Sequence, residues 1–76
     1  MKIKFKKTFS KHFEKLERKI QIKIDEKISI FQKNPFENIL NNHALSWEYS
    51  WFRSINITGD YQAIFREYPD GTYEFV

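Results

Sequence analysis

Arg53-Ser-Ile-Asn-Ile-Thr-Gly-Asp-Tyr-Gln-Ala-Ile-Phe-Arg66 carries the strongest structural signal in the chain. Ser54 to Thr58 alternates polar and apolar residues, the period of a strand with one buried face. Gly59-Asp60 fits a two-residue hairpin turn with glycine first, and Tyr61 to Glu67 returns antiparallel. Pairing across that turn predicts Thr58 opposite Tyr61, Asn56 opposite Ala63 and Ser54 opposite Phe65. Ile55, Ile57 and Ile64 then share a face with Gln62 and pack on helices. Ser54, Asn56, Thr58 and Tyr61 face away, on an open polar surface. Arg53 meets Arg66 at the end of the first face. Two guanidinium groups directly opposite repel, so the pairing calls for an acid or an anionic ligand nearby. Pro69-Asp-Gly71 makes a second turn, and Thr72 to Val76 reads as the last strand.

Upstream, Lys2-Ile-Lys-Phe-Lys6 alternates as a short strand whose lysines discourage pairing with other chains at a sheet edge. Phe9, Phe13, Leu16, Ile20, Ile24, Ile28 and Phe31 follow at steps of three or four residues, a helical stripe. Thr8 or Ser10 is placed to cap its start. Ile20, Ile22 and Ile24 also alternate as in a strand, but Asp25-Glu-Lys27 breaks that period while the helical one runs on. A single helix from Phe9 to Lys33 would be about 37 Å long at 1.5 Å per residue. A domain of this size has a radius of gyration of about 11 Å. The stripe is therefore expected to fold back as a helical hairpin, with its break near Glu17 to Lys19. Asn34-Pro35 ends it, because proline disfavours helical geometry in the residue before it. Phe36 to Asn42 reads as a loop. His43 to Phe52 carries Trp47, Tyr49 and Trp51 at strand spacing.

Seventy-six residues make one domain, spanning 1–76, of class α+β: an N-terminal strand and helical hairpin packed on a small twisted antiparallel sheet. Eight Phe, four Tyr and two Trp supply a large apolar area for few torsions, which helps so small a core. The absence of Cys excludes disulfides and thiolate zinc sites. Neither a signal peptide nor a run of the roughly 18–20 apolar residues of a membrane span is present, so a cytoplasmic location is the expectation. Charge divides along the chain: residues 1–23 hold nine Lys/Arg against two Glu, and residues 24–76 hold four basic against eight acidic groups. That asymmetry points to a polyanion or an acidic protein as partner for the N-terminal part, or else to a solvated basic helix surface.

The order of a basic strand, a helical hairpin, the Asn34-Pro35 break, His43-Ala-Leu45 and then Arg53-Ser-Ile-Asn-Ile-Thr-Gly-Asp-Tyr61 with Ala63-Ile-Phe-Arg66 resembles the RelE/ParE superfamily of bacterial type II toxins. Within it the YafQ-like branch is the most similar, and the likeness covers nearly the whole chain. The resemblance implies the toxin of a toxin–antitoxin system, neutralised by a cognate antitoxin. It also implies a metal-independent, cofactor-free endoribonuclease (an mRNA interferase) that inhibits translation by cutting messenger in the ribosomal A site. In that reaction a ribose 2′-hydroxyl attacks the adjacent phosphate, which needs a base, cations for the phosphate and an acid for the leaving oxygen.

Carried across by position, His43 matches the His before the first sheet segment, Arg53 the basic residue opening the hairpin strand, and Asp60 the turn aspartate, as a catalytic set. Tyr61 matches an aromatic able to stack on a base, with Lys4, Lys6 and Arg66 as further RNA contacts; stacking is worth about 1–3 kcal/mol per base. Each has an ordinary structural role beside it: His43 satisfying a loop carbonyl, Asp60 forming the turn, Tyr61 packing in the sheet.

The sequence also departs from the pattern. Gln62 stands where many relatives have Arg, and Ser54 and Asn56 stand where YafQ-like enzymes carry Asp and His. Trp47 and Trp51 fall near positions where relatives often have Gly. Relatives continue past the counterpart of Val76 into a Gly-Thr-His strand end, so a truncated C-terminal end and weakened catalysis are expected. The alternatives are a truncated, non-catalytic relative that retains antitoxin binding, and a ParE-like toxin that inhibits gyrase.

Overall fold

The apolar stripe forms two helices, α1 (Lys7–Lys15) and α2 (Arg18–Lys33), after a first strand β1 (Lys2–Phe5). The computed structural model describes residues 1–46, 49 and 51–76. The break falls at Leu16 and Glu17, where Leu16 leaves helical geometry at ψ 154°. Its longest dimension is 33 Å, less than one unbroken helix would need. Neither Thr8 nor Ser10 caps α1: the N-cap is Lys6, with no side-chain hydrogen bond. Asn34 ends α2 as the proline after it requires.

A short 3-10 turn (Asn38–Leu40) precedes β2 (His43–Ala44), β3 (Phe52–Asn56), β4 (Gln62–Glu67) and β5 (Thr72–Phe75). Among the described residues, the strand expected from His43 to Phe52 is confined to His43 and Ala44 before β3 begins. Tyr49 and Trp51 are exposed, and Trp47 lies outside the described residues.

The five strands form one sheet in the order β1-β5-β4-β3-β2. It is mixed rather than antiparallel throughout: β1 runs parallel to β5, with Lys2, Ile3, Lys4 and Phe5 beside Thr72, Tyr73, Glu74 and Phe75. The first and last strands of the chain are therefore neighbours.

The hairpin forms, but its register is one residue away from the expected one. Asn56 pairs with Gln62, Ile55 with Ala63, Ser54 with Ile64, Arg53 with Phe65 and Phe52 with Arg66. The turn is a three-residue loop, Thr58-Gly59-Asp60, closed by Ile57 N–H and Thr58 N–H, both donating to Tyr61 O. Thr58 Oγ1 accepts from Asp60 N–H at 3.2 Å and so belongs to the turn rather than the strand. A one-residue slip moves a strand's whole side-chain set to the other face. Ala63 and Phe65 thus join Ile55 and Ile57 in the core, while Ile64 is 37% exposed on the other side. The expected Arg53–Arg66 repulsion does not arise.

The core lies between α2 and one face of the sheet, and it is built on aromatic rings. Phe31, fully buried, meets Phe65, Tyr73 and Phe75 edge-on at centroid distances of 4.9, 5.1 and 5.4 Å. Such edge-to-face pairs add about 0.5–1.5 kcal/mol each beyond the area they bury. Helix α1 contributes no buried residue; Phe9 and Phe13 rest half-buried at the margin of this cluster.

Candidate functional site

With helices on one face, the opposite face of the sheet is open, and strand pairing fixes which side chains it carries. Side chains alternate along a strand and align across paired strands. One row across the open face is therefore Phe52, Arg66, Glu74 and Lys4, from β3, β4, β5 and β1 in turn. Beside it lies the row His43, Ser54, Ile64 and Val76; Val76 N–H donates to Ile64 O at 2.9 Å. At the other side Tyr68, whose N–H donates to Thr72 O at 2.8 Å, continues the face toward Thr72 and Lys2.

The first row and its flank hold most of the chemistry. Tyr68 donates its hydroxyl to Glu74 Oε1 at 2.7 Å. Donating that bond to a carboxylate raises the Tyr68 pKa, so the phenol stays protonated beyond the ordinary tyrosine range. The Arg66 guanidinium sits 5.0 Å from the centroid of the Tyr68 ring, a cation–π contact. The described residues contain two ion pairs, Lys19–Glu17 at the start of α2 and Lys23–Glu26 along it, both exposed. Neither Arg66 nor Lys4 is within pairing distance of the Glu74 that stands between them. Asp70, in the turn before β5, is held well ionised chiefly by the Thr72 N–H at 2.9 Å, then by the Thr72 hydroxyl and by Lys2 and Lys4. The cluster thus presents Lys2, Lys4 and Arg66 against Asp70 and Glu74.

The centre of the open face is polar but uncharged. Ser54, fully buried, donates to Gln62 Oε1 at 2.7 Å. Asn56, paired with Gln62 in register, has its Oδ1 buried with no hydrogen-bond partner among the described residues.

The residues singled out in the sequence are distributed unequally over this frame. Lys4 and Arg66 lie in one row of the open face, separated only by Glu74. His43 is also on the open face, half-buried on β2. Its Nδ1 lies 2.8 Å from Asn41 O; a carbonyl only accepts, so Nδ1–H is the donor in that bond. Arg53, one residue out of phase with Ser54, points to the helix side. There its Nε–H donates to Asn42 Oδ1 at 2.7 Å and its guanidinium lies 5.5 Å from the Phe36 ring centroid. Tyr61 shares that side and lines a groove with Phe13, Leu16 and Ile57. Asp60 is at the exposed hairpin tip, and Lys6 is at the junction of β1 and α1. The structure does not bring His43, Arg53 and Asp60 to one place.

Sequence reasoning missed Glu74, Tyr68 and Lys2. The alternation Thr72-Tyr-Glu-Phe-Val76 does put Glu74 on the face opposite Phe75. What it lacked was the β1–β5 pairing that brings Lys4 alongside.

A second recess opens between the helices. It is a groove of about 610 Å³ lined by Phe5, Phe9, Phe13, Ile24 and Ile28, with Glu14 and Asp25 at its rim. Among the described residues, no cluster of three His, Cys, Asp or Glu side chains is arranged to hold a metal ion. Nor is any helix among them long and apolar enough to cross a membrane.

No protein-family model and no curated protein matches this sequence. Solved structures do match, and they match over the entire chain. A YoeB/ParE toxin from Agrobacterium tumefaciens superposes with a TM-score of 0.78 at 17% identity, covering 100% of this chain and 93% of that one. The YoeB–YefM toxin–antitoxin complex from Staphylococcus aureus, a heterotetramer, matches with a TM-score of 0.74 at 19% identity, covering 100% and 91%. A copper-bound mutant toxin from Helicobacter pylori matches with a TM-score of 0.70 at 20% identity, covering 100% and 89%. The chain therefore has the YoeB/ParE type of toxin fold, two helices on a five-stranded mixed sheet.

Proposed function

We propose that this chain is the toxin of a toxin–antitoxin pair and acts as a metal-independent, ribosome-dependent mRNA endonuclease of the YafQ-like kind. The observation that carries the reading is the cationic open face of a sheet whose fold matches YoeB/ParE toxins along the whole chain. Lys2, Lys4 and Arg66 stand there without an ion-pair partner among the described residues, as a surface that meets RNA phosphates requires. The partner that restrains it is a cognate antitoxin. One of the similar structures was solved as a toxin–antitoxin complex, and the apolar groove beside α1 offers such a partner a seat.

One experiment tests this. The chain is induced in a bacterial host with and without any small protein encoded beside it, and messenger from arrested cells is mapped for new 5′ ends. Growth arrest with cleavage at ribosome-protected codons, relieved by the neighbouring protein, supports the reading. Arrest with intact messenger and inhibited gyrase would instead assign a ParE-like toxin.

A second reading is favoured by the uncharged centre of the open face, where Ser54, Asn56 and Gln62 offer no titrating group: a relative that binds antitoxin and does not cut. Antitoxin binding without arrest or cleavage identifies it.

A further inference from the structure

We propose that Glu74 is the base that takes the 2′-hydroxyl proton of an RNA ribose, with the adjacent phosphate held between Lys4 and Arg66. The inference rests on the endonuclease reading and names the part of the sheet that performs it.

The base must be a titrating group on the open face that reaches the phosphodiester. His43 and Glu74 are both on the open face, but three strand spacings separate β2 from β5, about 14 Å at 4.8 Å each. A base must come within about 2.6–3.2 Å of the proton it removes, so the two stand as separate candidates for that role. Cations decide between them. Among the described residues no Lys or Arg stands beside His43 on its own face: its neighbours in the row are Ser54 and Ile64, and Arg53 points to the other side. Glu74 has Arg66 on one side and Lys4 on the other.

A carboxylate between two cations usually pairs with them, and here it does not. Its Oε1 is engaged by the Tyr68 hydroxyl at 2.7 Å. Arg66 is drawn over the Tyr68 ring instead, at 5.0 Å. Tyr68 therefore orients the carboxylate and leaves both cations available to an anion above the row. Lys4 and Arg66 start about 10 Å apart, two strand spacings, a span that their long side chains close around a phosphate group. With one oxygen fixed by Tyr68, the other carboxylate oxygen is the acceptor.

The step balances without any further reactant. The 2′-hydroxyl gives its proton to Glu74 as O2′ forms a bond to phosphorus. The bond from phosphorus to the 5′-oxygen of the next nucleotide breaks, and that oxygen takes a proton from the Lys4 ammonium. The products are a 2′,3′-cyclic phosphate and a 5′-hydroxyl. Glu74 and Lys4 regain their starting forms by exchange with water. Arg66 compensates charge on the phosphate throughout. Tyr68 is a positioning residue, acting through Glu74.

The experiment measures cleavage of messenger on programmed ribosomes alongside binding of a single-stranded RNA oligonucleotide by the purified chain. Glu74→Gln keeps the size of the side chain and an acceptor for the Tyr68 hydroxyl. It is expected to slow cleavage at least about 100-fold, the lower range for loss of a general base, while the Kd for RNA changes less than threefold. Glu74→Asp, still charged but one methylene shorter, falls between. Arg66→Ala weakens RNA binding and lowers the salt dependence by about 0.7 in log–log slope, one phosphate contact. Lys4→Ala does the same and also slows the bound-state rate. Tyr68→Phe slows cleavage at unchanged Kd, and adds nothing in the Glu74→Gln background, as coupled residues require.

Wild-type cleavage that Glu74→Gln leaves intact overturns the assignment and spares the endonuclease reading, the more so if His43→Ala abolishes it. A wild-type chain that cuts no messenger overturns both.

Discussion

Arg53 and Asn42 are joined by two hydrogen bonds, Nε–H to the Asn42 side-chain oxygen at 2.7 Å and an Nη2–H to its carbonyl at 3.4 Å. The pair fastens β3 to the segment that follows the 3-10 turn, and Asn42 in turn donates to Pro35 O at 2.9 Å. A guanidinium on the helix side of the sheet, bonded twice and lying over Phe36, acts as a clamp on the loop between α2 and β2. Arg53→Ala is expected to lower unfolding free energy by about 2 kcal/mol, the scale of a charge-assisted hydrogen bond plus a cation–π contact. Urea titration checks this. RNA binding by the folded fraction should be unaltered.

Phe31 is the residue on which the core depends. Phe→Ala at such a site costs about 3–5 kcal/mol, from lost transfer energy and the cavity left behind. A domain of this size has little more than that in reserve. Phe31→Ala should therefore be largely unfolded by circular dichroism at 37 °C. Phe31→Leu should fold with a lowered Tm.

The Tyr68–Glu74 hydrogen bond has a pH signature. The folded-state pKa of Tyr68 is raised, with the bond donated to Glu74 as its main cause. A raised pKa contributes stability that is fully present below the ordinary tyrosine range and is lost as pH climbs through the folded value. An ultraviolet difference titration should show two tyrosines ionising late, Tyr73 because it is buried and Tyr68 because of Glu74. Glu74→Gln should bring the Tyr68 ionisation back and leave that of Tyr73 late.

Gly71 and Gly59 make a controlled pair. Gly71 has φ +87°, a backbone conformation that L side chains rarely adopt, whereas Gly59 has no such φ and open space around it. Gly71→Ala should destabilise by about 1–2 kcal/mol, the cost of left-handed geometry for a residue with Cβ. Gly59→Ala should be near neutral in the same thermal melt.

The two helices, the neighbourhood of their break, the Asn34 stop and the places of both turns were legible because each rests on local chemistry: periodicity, proline sterics and glycine. The register of the hairpin was not. Gly59-Asp60 suits a two-residue turn, and Tyr61-Gln-Ala-Ile-Phe-Arg66 has apolar residues on both phases, so the pattern of β4 does not choose a face. The Thr58 hydroxyl, which caps the Asp60 amide, decides it. The candidate site was half legible: Lys4 and Arg66 were marked by charge, but nothing local says that they converge. That convergence depends on pairing between residues 2–5 and 72–75, the longest-range contact in the sheet.

That parallel pairing also gives the molecule a sense of time. As the chain leaves the ribosome at about 5–20 residues per second, the helices and the β3–β4 hairpin emerge first. Strand β1, made at the outset, has no neighbour until β5 arrives. Lys4 and Arg66 are strangers until the last strand slides between them and sets Glu74 in place. A nascent fragment thus carries most of the scaffold and none of the assembled cluster, which comes into being in one late step.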